Sequence, residues 1–215
     1  MKKITENIDL KEIEKKTWRS TLEDGILEIY FGILVLGLGM GMTLNDILPN
    51  PLDKIISFIF FGIGTIFFLT TKKYITQPRL GIVKFGFKQK ARKLKTIIVL
   101  SINLIILLIL YLIRFINPEL SLEFPGYLDG LIIGLLFITL PSCFAAYFLQ
   151  YPRFYFTALL VGLSFFLSDL FSILIPEPFD VLTAFSIISS TIILIGIISL
   201  IKFIRKYPLK KEEVG

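Results

Sequence analysis

The chain has 215 residues, 54% of them hydrophobic, a net charge of +6 and a mean hydropathy of +0.78. Soluble domains are about 45–50% apolar even with glycine counted, so the excess points to a lipid-facing chain. Histidine is absent and Cys143 is the single cysteine, which excludes Ser-His-Asp and Cys-His catalysis, histidine metal ligation, an internal disulfide and any multi-cysteine zinc site.

Residues 1–24 are polar and mixed in charge, and the apolar run begins only near Ile26. A secretory signal has a short basic stretch followed at once by its apolar core, so this segment does not read as a cleaved one. Ile4, Ile8, Ile13, Trp18 and Leu22 are spaced loosely enough to suit either an interfacial helix or a solvated tail with one Trp anchor.

Crossing a bilayer core of about 30 Å takes roughly 20 apolar residues in a helix. Six stretches qualify: Gly25–Met42, Ile55–Thr71, Thr96–Ile116, Tyr127–Leu149, Phe154–Ile175 and Val181–Ile204. The expected fold is an all-α integral membrane bundle of six transmembrane helices over 25–204, with a cytoplasmic tail over 205–215. Pro49, Pro51, Pro78, Pro118, Pro125, Pro152, Pro176 and Pro178 fall between the spans, where helix breakers belong.

Lys and Arg in short loops set orientation. Residues 1–24, 72–95, 150–153 and the end from Lys202 together hold 21 of the 23 basic residues. The opposite side keeps Lys54 and Arg114 and carries Asp46, Asp53, Glu119, Glu123, Asp129, Asp169, Glu177 and Asp180. The expectation is a multi-pass protein of the cell membrane with both termini cytoplasmic.

The largest expected loop is 72–95, with nine Lys or Arg and no acid. Val83, Phe85 and Phe87 alternate with polar or small residues as in an extended stretch, and Lys88–Lys95 begins the third helix. Lys84, Lys88, Lys90, Arg92, Lys93 and Lys95 suit anionic lipid headgroups, each worth about 1 kcal/mol near an anionic leaflet. The same charge also serves simply as a topology determinant. No nucleic-acid-binding module accompanies it.

Asp24-Gly25-Ile26-Leu27 with Gly32 matches Asp129-Gly130-Leu131-Ile132 with Gly134. Three spans separate the two, which would make the halves a 3+3 inverted repeat. Gly37 and Gly41, like Gly130 and Gly134, form G-x-x-x-G pairs suited to close helix packing.

Four groups of residues could carry function. Asp24 and Glu28 lie one helical turn apart at the inner boundary. A carboxylate at membrane depth is costly unless paired, so one of them is expected to pair with Arg79 or Arg153, as a staple or as a gate. Asp169, with Asp129 and Glu177, could receive a cation or simply be hydrated at a helix end. Thr139, Ser142, Ser164, Ser189 and Ser190 form a polar band near mid-membrane, beside Pro141, which should kink its helix. They could line a cavity or bond back to their own helices. The glycine pairs could pack within one chain or between subunits.

Asp24, Gly25, Glu28 and Ile29 form a DG-x-x-E-I start to the first span, and Pro78, Arg79, Gly81, Val83 and Phe85 form P-R-x-G-x-V-x-F after the second. Over about the first 95 residues the chain resembles an uncharacterised family of small prokaryotic polytopic membrane proteins, and the resemblance implies no activity or site residues. No catalytic residue, cofactor or metal site is assigned. The leading reading is a non-catalytic, transporter-like or lipid-interacting bundle whose partners are membrane lipids with anionic headgroups. The alternative is a structural or regulatory subunit of a membrane complex, as a homo-oligomer or with another membrane protein. An intramembrane enzyme is the weakest fit. A closed polar cavity reaching one surface would favour the first reading, and a tightly packed monomer with no cavity the second.

Overall fold

A computed structural model describes residues 18–48, 52–81, 87–116 and 128–208. Residues 1–17, which hold most of the expected interfacial helix, lie outside the described residues, as do 82–86 with the expected extended stretch. The described residues are helical, with no strand among them. They include six helical spans long and apolar enough to cross a bilayer, and the chain is a multi-pass membrane protein.

The spans follow the apolar runs. Helix α1 is Ile26–Ile47 and α2 is Leu52–Thr71. Helix α3 is Phe87–Ile116. The fourth span joins α4 (Leu128–Ile133), a π-helical segment Gly134–Thr139 and α5 (Leu140–Leu149). The last two are α6 (Arg153–Phe171) and α7 (Phe179–Lys206).

Two differences from the sequence reading have one cause. The second span does not end at Thr71. It runs on through a π-helical segment, Lys72–Thr76, and a last α-helical turn, Gln77–Leu80. Most of the expected 72–95 loop is therefore helix, since α3 already begins at Phe87. Both π segments stand directly before a proline turn, Pro78 in one case and Pro141 in the other. Proline lacks an N–H and clashes with the carbonyl four residues back. Widening the preceding turn by one residue relieves the clash without ending the helix. The Gln77 N–H then reaches back five residues to Lys72, and the Leu140 N–H reaches Leu135. In the fourth span the carbonyl freed by Pro141 is that of Phe137, and Asn103 Nδ2 of α3 donates to it at 3.1 Å.

The packing order of the spans is second, first, sixth, fifth, fourth, third. Helix α1 lies between α2 and α7, and α7 packs in turn on α6. The core sits in these central helices, where Val35, Ala184, Phe185, Ile188 and Ile192 form one buried cluster. Helices α2 and α3 flank it with apolar side chains turned outward, such as Phe58, Ile66 and Leu104. In a membrane that surface faces acyl chains, so apolarity all round the helix carries no penalty.

Glycine sets the closest crossings. Gly25, with φ of 77°, meets Gly196 of α7, and Gly134 meets Gly162 of α6. Gly37 packs on Phe60 and Gly39 on Phe185, so the first G-x-x-x-G region packs within the chain. The glycines that suggested an inverted repeat face neighbours that exchange of the halves would not interconvert. Gly25 and Gly32 meet α7, whereas Gly130 and Gly134 meet α6. Under that exchange the sixth span maps to the third, not the fifth, so the glycine match does not carry a repeat.

Candidate functional site: a buried acid pair beside a basic cavity

Trp18 begins the described chain with a helical turn over 18–22. It is not a lipid anchor. It is 2% exposed, and its indole Nε1 donates to the Leu149 carbonyl at the end of α5 at 2.8 Å. Gly25 then turns the chain into α1, which buries Asp24 and Glu28 completely against the bundle.

The cation that meets Asp24 is Lys72, not Arg79 or Arg153. Lys72 Nζ lies 2.6 Å from Asp24 Oδ2, and Thr76 Oγ1 donates to the same oxygen at 2.6 Å. Asp24 Oδ1 accepts the Ile26 N–H at 3.2 Å, and Lys72 also donates to the Thr21 carbonyl. The continuation of the second helix explains the exchange of partner. Lys72 and Thr76 are one turn apart on a helix at the level of Asp24. Arg79 is seven residues on, about 10 Å farther along, and turns its Nη1 back to the Ile75 carbonyl at 2.9 Å. Arg153 Nη1 donates to Ser199 Oγ at 3.0 Å, tying α6 to α7.

Glu28 takes a different partner. Tyr151 sits at the corner between α5 and α6, its ring packed in a cluster with Phe154, Leu27 and Phe31. Its hydroxyl donates to Glu28 Oε1. Glu28 Oε2 is buried with no hydrogen-bond partner among the described residues. Burial, followed by the adjacent Glu28 carboxyl, pushes the Tyr151 hydroxyl well above the ordinary tyrosine range. A proton held more tightly in the folded than in the unfolded state gives a definite sign. The stabilisation is complete below the unfolded tyrosine value of about 10 and is lost as pH rises through the folded value. Thermal unfolding in detergent is therefore expected to show a fall in stability above about pH 10 that is shallower in Tyr151→Phe than in the parent.

Beside the acid pair is a cavity of about 430 Å³. Trp18, Thr21, Lys72, Thr76, Gln77 and Lys93 give it a polar, basic wall, and Leu22, Leu27, Phe68, Leu80 and Leu149 give it an apolar one. Lys93 Nζ stands 5.3 Å from the Trp18 ring centroid, and Lys72 Nζ stands 5.7 Å from that of Phe68. Among the described residues no carboxylate belongs to the lining.

The other sequence candidates are placed less productively. Lys84 and the Lys88 side chain lie outside the described residues. Lys90 and Lys95 are exposed beside Phe87 and Phe148. Arg92 is engaged by Gln150 Oε1 at 2.9 Å and Gln89 Oε1 at 3.2 Å, which fastens the start of α3 to the end of α5. The mid-membrane band lines none of the cavities described here. Thr139 donates to the Ala158 carbonyl, Ser164 to Val161 and Ser189 to Ser186, while Ser142 is half-buried and Ser190 turns outward. Cys143 is half-buried too. At the far end, Asp169 Oδ2 accepts the Gly130 N–H at 2.6 Å. Among the described residues no group of three potential ligands is placed to hold a metal ion.

Lys72, Thr76, Trp18 and Tyr151 escaped the sequence reading as site residues. Lys72 and Thr76 were legible only to a reader willing to run a helix through Pro78. Tyr151 carried no local signal, because its partner is 123 residues away. Comparison with known protein families, with curated proteins and with solved structures finds no match.

Proposed function

We propose that this protein is a non-catalytic membrane protein that binds the anionic headgroup of a lipid at its basic end. The observation that carries the reading is the cavity of about 430 Å³ whose lining includes Lys72 and Lys93 and, among the described residues, no carboxylate. Its size is that of a small-molecule site, and its wall is mainly apolar with a few polar and basic side chains, as such sites commonly are. Asp24 stands behind Lys72 and holds its ammonium, together with the Thr76 hydroxyl, at the wall. The Thr76 hydroxyl is already donated to Asp24, so a ligand anion would meet the lysine ammonium groups, Lys93 foremost.

Basic residues gather at this end. Lys72 and Lys93 border the large cavity, while Arg153, Lys202 and Lys206 border a smaller one together with Glu23. The positive-inside tendency makes it the cytoplasmic end of a cell-membrane protein, where anionic lipids are concentrated. The presence of a cavity, though mainly apolar and not the closed polar one expected, favours ligand binding over a tightly packed structural subunit.

Lys93 is the residue to test, since Lys72 also supports the fold. Lys93→Ala is expected to weaken phosphatidylglycerol binding about fivefold, the equivalent of about 1 kcal/mol, and to leave phosphatidylcholine binding unchanged. Native mass spectrometry of the purified protein titrated with each lipid measures both. Equal retention of the two lipids by the parent protein would overturn the reading.

A further inference from the structure

Helix α7 has 28 residues. Its length of about 42 Å exceeds a bilayer core of about 30 Å, so its last turns carry Lys202 and Lys206 out to the level of headgroups and water. Ser199, Lys202 and Lys206 are three and four residues apart and share one face of the helix. That face borders the smaller hollow, of about 100 Å³. Arg153, the first residue of α6, also lines it and donates to Ser199 Oγ at 3.0 Å. Ser20 and Glu23, from the segment that precedes α1, complete its polar lining. The hollow shares no lining residue with the larger cavity. The helical turn over 18–22 stands between them, since Trp18, Thr21 and Leu22 line the cavity and Ser20 lines the hollow.

Three cations and one carboxylate therefore surround room for about three waters, at about 30 Å³ each. A sugar or a nucleotide is too large for it, whereas a tetrahedral oxyanion fits. Among the described residues Arg153, Lys202 and Lys206 make no ion pair, not even with Glu23 in the same lining. Arg153 has five N–H donors and gives one to Ser199, so others remain for a ligand. The lining has an excess of two positive charges, which matches a phosphate group carrying about two negative ones. Glu23 adds a condition. A carboxylate beside an anion repels it, unless the anion keeps a proton that the carboxylate can accept in a hydrogen bond. Inorganic phosphate and phosphate monoesters keep such a proton at about pH 6. Sulfate and phosphodiesters have none to give.

We infer that the hollow is a second anion site, selective for a phosphate group that still carries a proton. Arg153, Lys202 and Lys206 bind the ionised oxygens, and Glu23 accepts the P–O–H. Glu23 is the residue that sets the selectivity. The site is independent of the headgroup reading of the larger cavity, because phosphatidylglycerol is a phosphodiester with no hydroxyl on phosphorus. Free phosphate and a monoester headgroup such as that of phosphatidic acid share the chemistry that Glu23 selects.

The test is equilibrium dialysis of the full-length protein, in a neutral detergent at about pH 6, against radiolabelled inorganic phosphate. Unlabelled phosphate, sulfate and short-chain phosphatidic acid serve as competitors. Sulfate is expected to compete at least about tenfold more weakly than phosphate, the size of one charge-assisted hydrogen bond. Glu23→Gln should narrow that gap to about twofold, since an amide donates to either anion. Lys202→Ala should weaken phosphate binding about threefold, as for an exposed charge contact. Arg205→Ala, the same loss of charge on α7 outside the lining, should leave it unchanged. Glu23, Lys202 and Arg205 are all exposed, so these variants keep the fold, and thermal unfolding checks it. Phosphatidic acid that displaces the label at a lower concentration than phosphate makes the lipid headgroup the occupant of the site. The reverse order makes it free phosphate. The absence of saturable binding, equal competition by sulfate, or a gap that Glu23→Gln leaves intact would each overturn the inference. So would equal weakening by Lys202→Ala and Arg205→Ala, which would reduce the binding to general attraction by a basic surface.

Discussion

Lys72→Met is expected to destabilise the bundle by about 3–5 kcal/mol, the range for removing one member of a buried ion pair. The two partners are unequally placed. Asp24 is fully buried, whereas the Lys72 side chain is 20% exposed at the edge of the cavity. Without Lys72, the Asp24 carboxylate keeps only the Thr76 hydroxyl and the Ile26 N–H. Neither brings a full positive charge, and an uncompensated charge away from water is the costly outcome. Asp24→Asn should cost distinctly less. It keeps a polar group for Thr76, and the ammonium it releases retains the Thr21 carbonyl and access to the cavity. The double variant should recover part of the Lys72→Met loss, because it removes the charge that substitution strands. Unfolding in mixed micelles measures all three. Equal losses for the two single variants, with no recovery in the double, would mean that the pair contributes by shape and not by charge.

Gly25→Ala should be the most damaging glycine substitution, with a loss of at least about 2 kcal/mol from backbone strain and overpacking together. Gly25 has φ of 77°, a conformation that L side chains rarely adopt. A Cβ there would also stand 2.2 Å from the Gly196 carbonyl oxygen and 2.7 Å from the Leu200 nitrogen. Both are backbone atoms of α7 and cannot swing aside. Gly196→Ala meets the same crossing from the other side, with the Ile29 nitrogen at 2.8 Å, but carries no conformational strain. It should lose less. Gly62 in α2 is the control, since a Cβ there meets nothing within 4 Å. Gly62→Ala should be neutral or stabilise by up to about 1 kcal/mol. A Gly25→Ala protein that unfolds like Gly62→Ala would show that α1 and α7 do not cross as described. The crossing also positions the site, because Asp24 directly precedes Gly25 and Glu28 follows it by three residues.

Composition and apolar run length determined the helical membrane class and the number of spans. These are one-dimensional properties: hydrocarbon demands an internally bonded backbone of fixed length. The concentration of Lys and Arg on alternate connections was equally readable. So was the importance of Asp24 and Glu28, because a carboxylate at the edge of an apolar run needs a reason. Their partners belonged to the tertiary structure. A proline does not announce whether it ends a helix or widens one turn of it. At Pro78 that choice decided whether Lys72 was a loop charge or a helical side chain beside Asp24. The contacts between Tyr151 and Glu28, between Trp18 and Leu149, and between Asn103 and Phe137 join residues far apart in the chain. They exist because each buried polar group must find a donor or acceptor where water is absent. Sequence could state that need at Glu28. Only the packing of α1 against the corner at Tyr151 decided how it is met.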